Sequence, residues 1–450
     1  MKYKYPRINR LALVLSLLIT AAFGLIFALI ITSGVVPGVS PAADSRKKLV
    51  KEQAVRAATI EGVILDRNGE NITFPSERGK PASVLAPEAF SYLIGFNSDV
   101  FSSSGLRARY HTTRGGRDGV GPELRLTIDA GLQQYAYSLL DSEGSCVVLA
   151  ETGEVLCMTS RSDDKLGMDL NRLDEQFPAY LEKDAFLLDR CTLCQDPPGS
   201  TFKLVTAASM LENSLGSFKC SCGPLQIGST VLHNFNNRSY DSIDLETGLK
   251  NSVNTYFARA GLELGAERLS ETAQRFLYGA TIETDFGTFS SKMALGTSSD
   301  SRLETALTAF GQGRVSTSPL FLTLTMQAVL NGKIMLPYVI DQITDDGKTT
   351  VTQPKVASHA VSAPVANELQ RLLHNTALQY GFEEATCGKT FAKTGTAETH
   401  RGTNHIYVLA GVEVGERRLA VCLDRCNTHE SSSVLLPKMR SLLQYLQTCC

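Results

Sequence analysis

Residues 197–211, Pro-Pro-Gly-Ser-Thr-Phe-Lys-Leu-Val-Thr-Ala-Ala-Ser-Met-Leu, carry the strongest structural signal in this chain of 450 residues. Pro-Pro-Gly does not continue a helix, whereas the residues after it are apolar on nearly all sides and predict a buried helix. Ser200 is expected in the first turn of that helix. Lys203 follows on the same helical face, within reach of the Ser200 hydroxyl. The stretch thus predicts a hydroxyl and an amine side by side at the start of a buried helix.

This pairing is a recognised way to make serine reactive. A serine hydroxyl is a weak nucleophile unless a base takes its proton, and a lysine in an apolar helix beside another cation has its pKa lowered enough to be that base. The helix N-terminus favours the negative charge that develops during attack. The motif alone is weak, because Ser45-Arg-Lys-Lys48 has the same spacing. An ordinary helix cap at Ser200 with a solvated Lys203 is the alternative.

Two further motifs follow in a meaningful order. Ser252-Val-Asn254 and Lys393-Thr-Gly395 each occur once, and S-x-x-K, S-x-N and K-T-G in this order form a known acyl-transfer signature. Ser252 is expected to relay a proton between Lys203 and a leaving amine, and Asn254 to hold a substrate amide. Taken separately, each motif also fits a helix cap or an edge-strand turn.

The last motif has its own expected roles. Lys393 and Thr394 are suited to bind the terminal carboxylate of a peptide or the acid group of a β-lactam. Gly395 allows a ligand to approach the strand closely because it has no side chain. We expect the backbone N–H groups of Ser200 and Thr396 to form the oxyanion hole.

At this point the chain resembles the class B penicillin-binding proteins, the monofunctional transpeptidases. The resemblance implies a D-Ala-D-Ala transpeptidase that forms an acyl-enzyme on Ser200, is inhibited by penicillin and works with a membrane glycosyltransferase. It also implies stem peptides of peptidoglycan as substrates. Besides the three motifs, it rests on Gly62-Val-Ile-Leu-Asp-Arg-Asn-Gly69, Leu126-Thr-Ile-Asp-Ala-Gly-Leu-Gln133, Glu151-Thr-Gly-Glu-Val-Leu156, Gly311-Gln-Gly-Arg-Val-Ser-Thr-Ser-Pro-Leu320 and Lys393-Thr-Gly-Thr-Ala-Glu398.

The sequence departs from the family pattern at several places. Glu61 stands where the family commonly has Arg, and the region before the catalytic domain is short for a pedestal. No glycosyltransferase domain is expected before the transpeptidase, which disfavours the bifunctional class. No PASTA repeats are expected after it. A β-lactamase or β-lactam sensor on the same fold, and a non-catalytic scaffold for wall synthesis, are the alternative functions.

Secondary-structure patterns predict an α/β protein of the α+β type. Strands near both ends of a mostly helical middle indicate one mixed sheet, built from distant parts of the chain, with helices on its faces. The resemblance implies more specifically the fold shared by penicillin-binding proteins and serine β-lactamases, with a central antiparallel sheet. The pattern also predicts that Asp129 caps a helix. The predicted strands are 124–129, 145–150, 154–159, 391–397, 405–414 and 417–424, and the predicted helices include 130–140 and 434–447.

The N-terminal region predicts a membrane anchor. Residues 11–32 carry no charge and are long enough to span a bilayer. Basic residues before them favour a cytoplasmic N-terminus and an extracellular catalytic domain; a cleaved signal peptide is the alternative. The expected organisation is a tail at 1–10, an anchor at 11–32, a linker at 33–49, a pedestal at 50–123 and a transpeptidase domain at 124–450.

Composition limits the remaining possibilities. A formal net charge of -2 gives no basic footprint for nucleic acid, and the serine and lysine chemistry requires no cofactor or metal. Eleven cysteines are many for an extracellular protein. The pairs Cys191/Cys194 and Cys220/Cys222 fit a zinc site, disulfides or buried free thiols. His233, His400 and His405 are expected to be surface or structural residues and not catalytic ones, because the serine–lysine mechanism needs no histidine.

Overall fold

The computed structural model describes residues 60–98, 102–111, 119–162, 168–173, 175, 188–295, 302–399 and 402–449. By its internal contacts the chain divides into Met1–Ala58 and Thr59–Cys450, and every described residue belongs to the second unit. Within these ranges no helix combines the length and the apolar character needed to cross a bilayer. The predicted tail, anchor and linker lie outside the described residues.

The described residues contain ten α-helices and twenty-one strands. The α-helices are α1 (Ser91–Ile94), α2 (Ala130–Ser138), α3 (Lys203–Glu212), α4 (Leu245–Lys250), α5 (Asn254–Leu264), α6 (Ala266–Arg275), α7 (Arg302–Ala309), α8 (Pro319–Asn331), α9 (Ala363–Gln379) and α10 (Leu436–Cys449). The strands are β1 (Ile64–Leu65), β2 (Asn97–Ser98), β3 (Ser102–Ser103), β4 (Glu123–Leu126), β5 (Gly144–Ala150), β6 (Val155–Arg161), β7 (Cys220–Ser221), β8 (Leu225–Ile227), β9 (Thr230–Leu232), β10 (Ser242–Ile243), β11 (Thr281–Glu283), β12 (Thr288–Ser290), β13 (Lys292–Met293), β14 (Val315–Ser316), β15 (Lys333–Met335), β16 (Ile340–Asp345), β17 (Lys348–Val351), β18 (Val356–His359), β19 (Thr390–Glu398), β20 (Asn404–Val414) and β21 (Arg417–Thr428).

A five-stranded sheet in the order β19-β20-β21-β5-β6 organises the fold. All four pairings are antiparallel, and β21 pairs with β5 although the two strands come from opposite ends of the chain. The prediction of one antiparallel sheet built from distant segments is therefore confirmed. The strand β19 lies at one edge, so its outer side is open to neighbouring elements and to an extended ligand.

Both faces of this sheet are buried. In β5, Val147 and Leu149 join one hydrophobic cluster while Cys146, Val148 and Ala150 join the other. Because successive side chains of a strand point to opposite faces, this alternation assigns one cluster to each side of the sheet. The uninterrupted apolar sequence of β5, residues 146–150, is typical of a strand that is covered on both faces.

Different helices cover the two faces. The helix α8 begins with Pro319 at its first turn and ends at Gly332, which has the left-handed conformation that favours glycine. Its residues from 319 to 330 are all buried, and it packs on β5, β20 and β21. On the other face, α2 and α10 supply Leu132, Leu442 and other side chains to the second cluster. The fold therefore has a helix–sheet–helix arrangement, as predicted.

A second, four-stranded sheet connects the early part of the chain to the catalytic part. Its order is β1-β4-β16-β17, with β1 parallel to β4 and the other pairs antiparallel. The strand β4 ends at Leu126, earlier than predicted, because the chain then turns to start α2. Asp129 caps α2 by accepting a hydrogen bond of 2.8 Å from Leu132 N, as predicted. The domain boundary at residue 123 stays a prediction.

A buried ion pair accounts for the unusual Glu61. Its carboxylate accepts a 2.6 Å bond from Arg107 Nε, and the two side chains are 4% and 2% exposed. The second Glu61 oxygen accepts from Ala82 N at 2.8 Å, and Arg107 also donates to the Gly95 carbonyl at 3.2 Å. Glu61 therefore has Arg107 as a buried partner of opposite charge. The hydrogen bonds of this pair connect the chain segments around residues 61, 82, 95 and 107.

Replacing Arg107 by methionine is expected to destabilise the protein by about 3–5 kcal/mol, because it leaves the Glu61 carboxylate buried without its counter-charge. Chemical denaturation of the purified protein measures this loss. Lys80→Met is the matched control, since Lys80 and Glu77 form a pair whose side chains are 70% and 78% exposed; its effect on stability should be much smaller than that of Arg107→Met, because solvent screens the exposed pair. Equal effects of the two variants would contradict a stabilising role for the buried pair.

Candidate active site

The nucleophile segment starts as a 3-10 turn and not directly as an α-helix. Gly199–Phe202 forms the 3-10 turn, and α3 continues it from Lys203 with every residue up to Met210 buried. Gly199 has a φ of +56° and donates from its N–H to the Gly311 carbonyl at 3.0 Å. A Cβ added to Gly311 would lie 1.7 Å from the Gly199 oxygen. This close backbone contact fixes the turn that presents Ser200.

Lys203 lies at the centre of the motif residues. Its Nζ is 2.9 Å from Ser200 Oγ, 3.1 Å from Ser252 Oγ, 2.8 Å from the Ser252 carbonyl oxygen and 2.7 Å from Asn254 Oδ1. The side chain is fully buried. The predicted contact between Ser200 and Lys203 is present in the structure, and the second motif adjoins the same amine.

The chemistry of these four oxygens fixes the orientation of a neutral Lys203. A neutral amine has two N–H donors and one lone pair, and two of its neighbours, the Ser252 carbonyl and the Asn254 amide oxygen, only accept hydrogen bonds. Asn254 is held in this orientation because its Nδ2 donates to the His233 carbonyl at 3.3 Å. With both N–H groups used, the lone pair faces the two hydroxyls. Lys203 can therefore accept the Ser200 proton.

The electrostatics favour that neutral state. Burial, together with the charge of Lys393, holds the pKa of Lys203 well below the value of a lysine in water. Burial also lowers the pKa of Lys393 to about 7. Two fully buried amines share one cleft here, so the protonation of each opposes the protonation of the other. A strongly shifted lysine next to a hydroxyl in a cleft is typical of a catalytic centre.

Ser252 connects the two lysines. Lys393 Nζ donates to Ser252 Oγ at 2.9 Å and to the Thr394 carbonyl at 3.0 Å. Ser252 has a φ of +53°, an unfavourable conformation for a residue with a side chain. Strain of this kind persists where the surrounding structure imposes it, often at functional sites. The side chains at 252 and 254 do not cap α5, whose N-cap residue Val253 makes no side-chain bond.

The edge strand β19 forms the other wall of the site. Thr394 Oγ1 is hydrogen-bonded to Tyr380 OH at 2.9 Å, and Thr396 is exposed. A Cβ on Gly395 would lie 2.8 Å from Thr201 Cγ2, and one on Gly199 would lie 2.6 Å from the Thr396 oxygen. The glycines therefore allow the nucleophile turn and the strand to approach each other closely.

The structure thus brings the residues of all three sequence motifs into one cleft. The chemical roles assigned to them, including an oxyanion hole at the backbone of Ser200 and Thr396, stay predictions. Three contributors were not foreseen from the sequence: Tyr380, which holds Thr394, the His233 carbonyl, which orients Asn254, and the Gly311 carbonyl, which holds Gly199. No sequence pattern pointed to the Tyr380 hydroxyl or the His233 carbonyl, while Gly311 belonged to a segment already noted as similar to the family.

The two cysteine pairs do not face each other. Cys220 and Cys222 lie together, with sulfur atoms 3.4 Å apart, whereas Cys191 Sγ lies 3.2 Å from the Thr159 carbonyl. Among the described cysteines, these nine are free thiols: Cys146, Cys157, Cys191, Cys194, Cys220, Cys222, Cys387, Cys422 and Cys426. Cys194 turns instead towards His405, which is buried and held between carboxylates, in agreement with a structural role for that histidine. His400 lies outside the described residues.

Comparisons with known proteins agree with this geometry. Residues 144–418 match the penicillin binding protein transpeptidase domain. The chain is 28% identical over 391 residues to the peptidoglycan D,D-transpeptidase PbpA of Mycolicibacterium smegmatis, covering 75% of this chain and 77% of that protein. It is 29% identical over 293 residues to penicillin-binding protein 3 of Bacillus subtilis, covering 62% of this chain and only 43% of that one.

A solved structure extends the likeness to the fold. The D,D-transpeptidase domain of a peptidoglycan glycosyltransferase from Eggerthella lenta superposes with a TM-score of 0.76 at 25% identity, covering 87% of this chain and 98% of that domain. The family match spans more than half of the sequence and includes Ser200, Lys203, Ser252, Asn254 and Lys393. The chain therefore belongs to the penicillin-binding protein transpeptidase family, within its class B members.

Proposed function

We propose that this protein is a peptidoglycan D,D-transpeptidase that cross-links stem peptides through an acyl-enzyme on Ser200 and is acylated by β-lactams. The observation that carries the proposal is the position of Lys203 Nζ. It lies 2.9 Å from Ser200 Oγ, while the Ser252 carbonyl oxygen and Asn254 Oδ1, which can only accept hydrogen bonds, occupy its other sides. The fold and the curated relatives support the same function. No cofactor enters the proposed reaction.

Acylation follows from the arrangement of the cleft. Ser200 Oγ attacks the carbonyl carbon of the penultimate D-Ala while its proton passes to Lys203. The N–H groups of Ser200 and Thr396 stabilise the oxyanion. The C–N bond then breaks, and the terminal D-Ala leaves as an amine after receiving the proton through Ser252. Lys393 and Thr394 bind the carboxylate of that terminal residue.

Transfer repeats these steps in the other direction. The amine of a neighbouring stem peptide attacks the ester carbonyl, gives up its proton along the same path, and displaces Ser200 Oγ, which is reprotonated. A new peptide bond replaces the ester bond, so atoms and charges balance. With water as the acceptor the same site acts as a carboxypeptidase.

Mass spectrometry of the purified protein after incubation with benzylpenicillin tests the acyl-enzyme. The mass should increase by one intact penicillin molecule, because opening of the β-lactam ring expels no fragment. Peptide mapping should place the added mass on the peptide that contains Ser200. An unmodified protein would favour the non-catalytic scaffold, and an adduct elsewhere would remove the proposed role of Ser200.

The lifetime of that adduct separates a transpeptidase from a β-lactamase on the same fold. Acylation is common to both, and they differ in deacylation. We expect the adduct to persist for hours in buffer and the protein to join a donor stem peptide to an amine acceptor. Rapid return of the free enzyme with release of hydrolysed penicillin would contradict the transpeptidase and support the β-lactamase.

The two buried lysines predict a bell-shaped pH dependence of the acylation rate. Lys203 must be neutral to take the Ser200 proton, so the rate should fall by about tenfold per pH unit once the pH drops below the lowered pKa of Lys203. Lys393 must be protonated to attract the penicillin carboxylate, so the rate should also fall as the pH rises past the Lys393 pKa of about 7. Stopped-flow acylation with a fluorescent penicillin measures the profile, and circular dichroism at each pH controls for unfolding. Perturbed lysines titrate between about pH 5 and pH 9. An acylation rate that does not change with pH across this range would contradict the mechanism.

Placement in the cell belongs to the same proposal. We propose that residues 11–32 anchor the chain with its N-terminus in the cytoplasm, and that a membrane glycosyltransferase supplies the glycan strand. Adding a protease to intact cells tests the topology. The residues after the anchor should be cleaved and the N-terminal tail should be protected; protection of the residues after the anchor would contradict this orientation.

A further inference from the structure

Beside the catalytic cleft lies a cluster of side chains that the proposed reaction does not use. We call it the cysteine–histidine cluster; its members are Cys194, Asp196, His405, Asp424 and Cys426. One ligand atom each from Cys194, His405 and Cys426 lies within 4.8 Å of the other two, and all three residues are buried. Within the described ranges this is the one such group of histidine, cysteine or acidic residues.

The cluster joins segments that are far apart in the sequence. Cys194 and Asp196 lie on the segment that leads into the Ser200 turn, His405 on β20, and Asp424 and Cys426 on β21. Because Asp196 and His405 are 209 residues apart in the sequence, no short spacing motif contains the whole cluster. Packing of the 194–196 segment against β20 and β21 brings them together.

The sheet is irregular at this point. The β20–β21 register shifts so that Cys426 and Asn427 both stand opposite His405, and Asn427 has a φ of +49°. A bulge places two residues against one and redirects a side chain, commonly next to a functional site. Here the bulge brings Cys426 Sγ to 3.2 Å from His405 Nε2.

Both imidazole nitrogens have a carboxylate neighbour. His405 Nδ1 is 2.8 Å from Asp196 Oδ2, and His405 Nε2 is 2.7 Å from Asp424 Oδ2. Asp196 Oδ2 is also 2.7 Å from Cys194 Sγ, and Asp424 Oδ2 is 3.5 Å from Cys426 Sγ. In metal sites a ligating histidine typically donates its second N–H to a carboxylate, which fixes the ring. Whichever nitrogen binds a cation, that partner is already present.

The charge and the ligand type select the cation. Two cysteines, one histidine and one carboxylate form a four-ligand set that suits zinc, which prefers sulfur and nitrogen and is tetrahedral in closed sites. Asp424 is fully buried, 2.7 Å from His405 Nε2, and a cation bound beside it would offset its negative charge. We propose that Cys194, Cys426, His405 and one of the two carboxylates bind a structural zinc ion, while the other carboxylate holds the free ring N–H.

Such an ion would stabilise the position of the nucleophile turn. The His405 ring stacks on Tyr407 with centroids 4.4 Å apart, and Tyr407 OH donates to the Pro197 carbonyl at 3.3 Å. A Cβ added to Gly395 would lie 3.2 Å from Tyr407 Cδ2. The ion thus fastens Cys194, and the turn that follows it, to the strands that flank the Lys393 segment. Its role is positional, since the cluster does not touch the reacting atoms.

Metal analysis of the full-length, detergent-solubilised protein tests the site directly. We expect one zinc ion per chain after purification without added chelator, as a closed four-ligand site requires. Replacement by Co²⁺ should give thiolate-to-cobalt charge-transfer absorption together with the visible bands of a tetrahedral ion. Removal of zinc by a strong chelator should lower the melting temperature, and zinc added back should restore it.

Variants identify the ligands and separate this site from the other cysteines. Cys194→Ser and Cys426→Ser should lose the metal, whereas the matched controls Cys191→Ser and Cys220→Ser should keep it. If a ligand variant does not fold, the cobalt spectrum of the unaltered protein still reports thiolate ligation. The absence of stoichiometric metal, retention of metal in both ligand variants, or a Cys194–Cys426 disulfide in a non-reducing peptide map would overturn the proposal. Metal content is read without any penicillin, so its outcome is independent of the proposed function.

Discussion

Ser200→Ala is expected to abolish the covalent penicillin adduct completely. Without Oγ the cleft loses the hydroxyl that lies 2.9 Å from Lys203 Nζ and that is proposed to attack the β-lactam carbonyl. Ser252 Oγ also lies near Lys203, but it is held by Lys393 at 2.9 Å. Intact-mass measurement after incubation with benzylpenicillin therefore should show only unmodified protein.

Another S-x-x-K sequence, at residues 45–48, offers a matched control for this experiment. Ser45 has the same spacing to Lys48 as Ser200 has to Lys203, but the chemistry is not expected there. Ser45→Ala should be acylated at the rate of the unaltered protein, and Ser200→Ala should retain its melting temperature because only one oxygen is lost. Persistence of the adduct in Ser200→Ala would assign the nucleophile to another residue and end the proposal.

Much of the fold was predictable because its strongest elements have strong local signals. The hairpin from 145 to 159 has two runs of β-forming residues around a Gly-containing turn. The strand β5 begins one residue before the prediction, and β6 runs over 155–161 where 154–159 was predicted. The helix after Ser200 is buried from Lys203 to Met210, as its all-round apolar sequence required. The short strands were not predictable, because two or three residues paired by tertiary contacts carry no periodicity.

The site was predictable where chemistry is encoded in short motifs and not where it depends on tertiary contacts. Ser200 and Lys203 are one helical turn apart, so their contact follows from local geometry. Tyr380 reaches Thr394 only because α9 packs on β19, and His405 reaches Cys194 only across the assembled sheet. The sequence pointed to a zinc-like spacing at Cys191, Cys194, Cys220 and Cys222, but the fold separates these pairs and gives Cys194 different neighbours.

Lys203→Met is expected to lower the rate of acylation by penicillin by about 10²–10⁴-fold, the usual contribution of a positioned general base. Methionine has a similar length and fills the same buried space, so the variant removes the amine without opening a large cavity. The Ser252 carbonyl and Asn254 Oδ1 lose their donor, which should cost about 1–3 kcal/mol of stability for a buried group left unpaired. Stopped-flow acylation and thermal denaturation measure the two effects separately.

The pH profile of this variant distinguishes a base from a structural lysine. If Lys203 takes the Ser200 proton, the residual activity of Lys203→Met should lose the acid-side fall, because the group whose lowered pKa causes it is gone. If Lys203 only supports the fold, the rate should decrease with the shape of the profile unchanged. Lys250→Met is the control, since Lys250 is exposed at the end of α4, two residues before Ser252. The opposite outcome is a Lys203→Met variant that keeps the acylation rate of the unaltered protein and the decrease of that rate at low pH. It would show that a group other than Lys203 activates Ser200, even though the Ser200 hydroxyl lies beside the Lys203 amine.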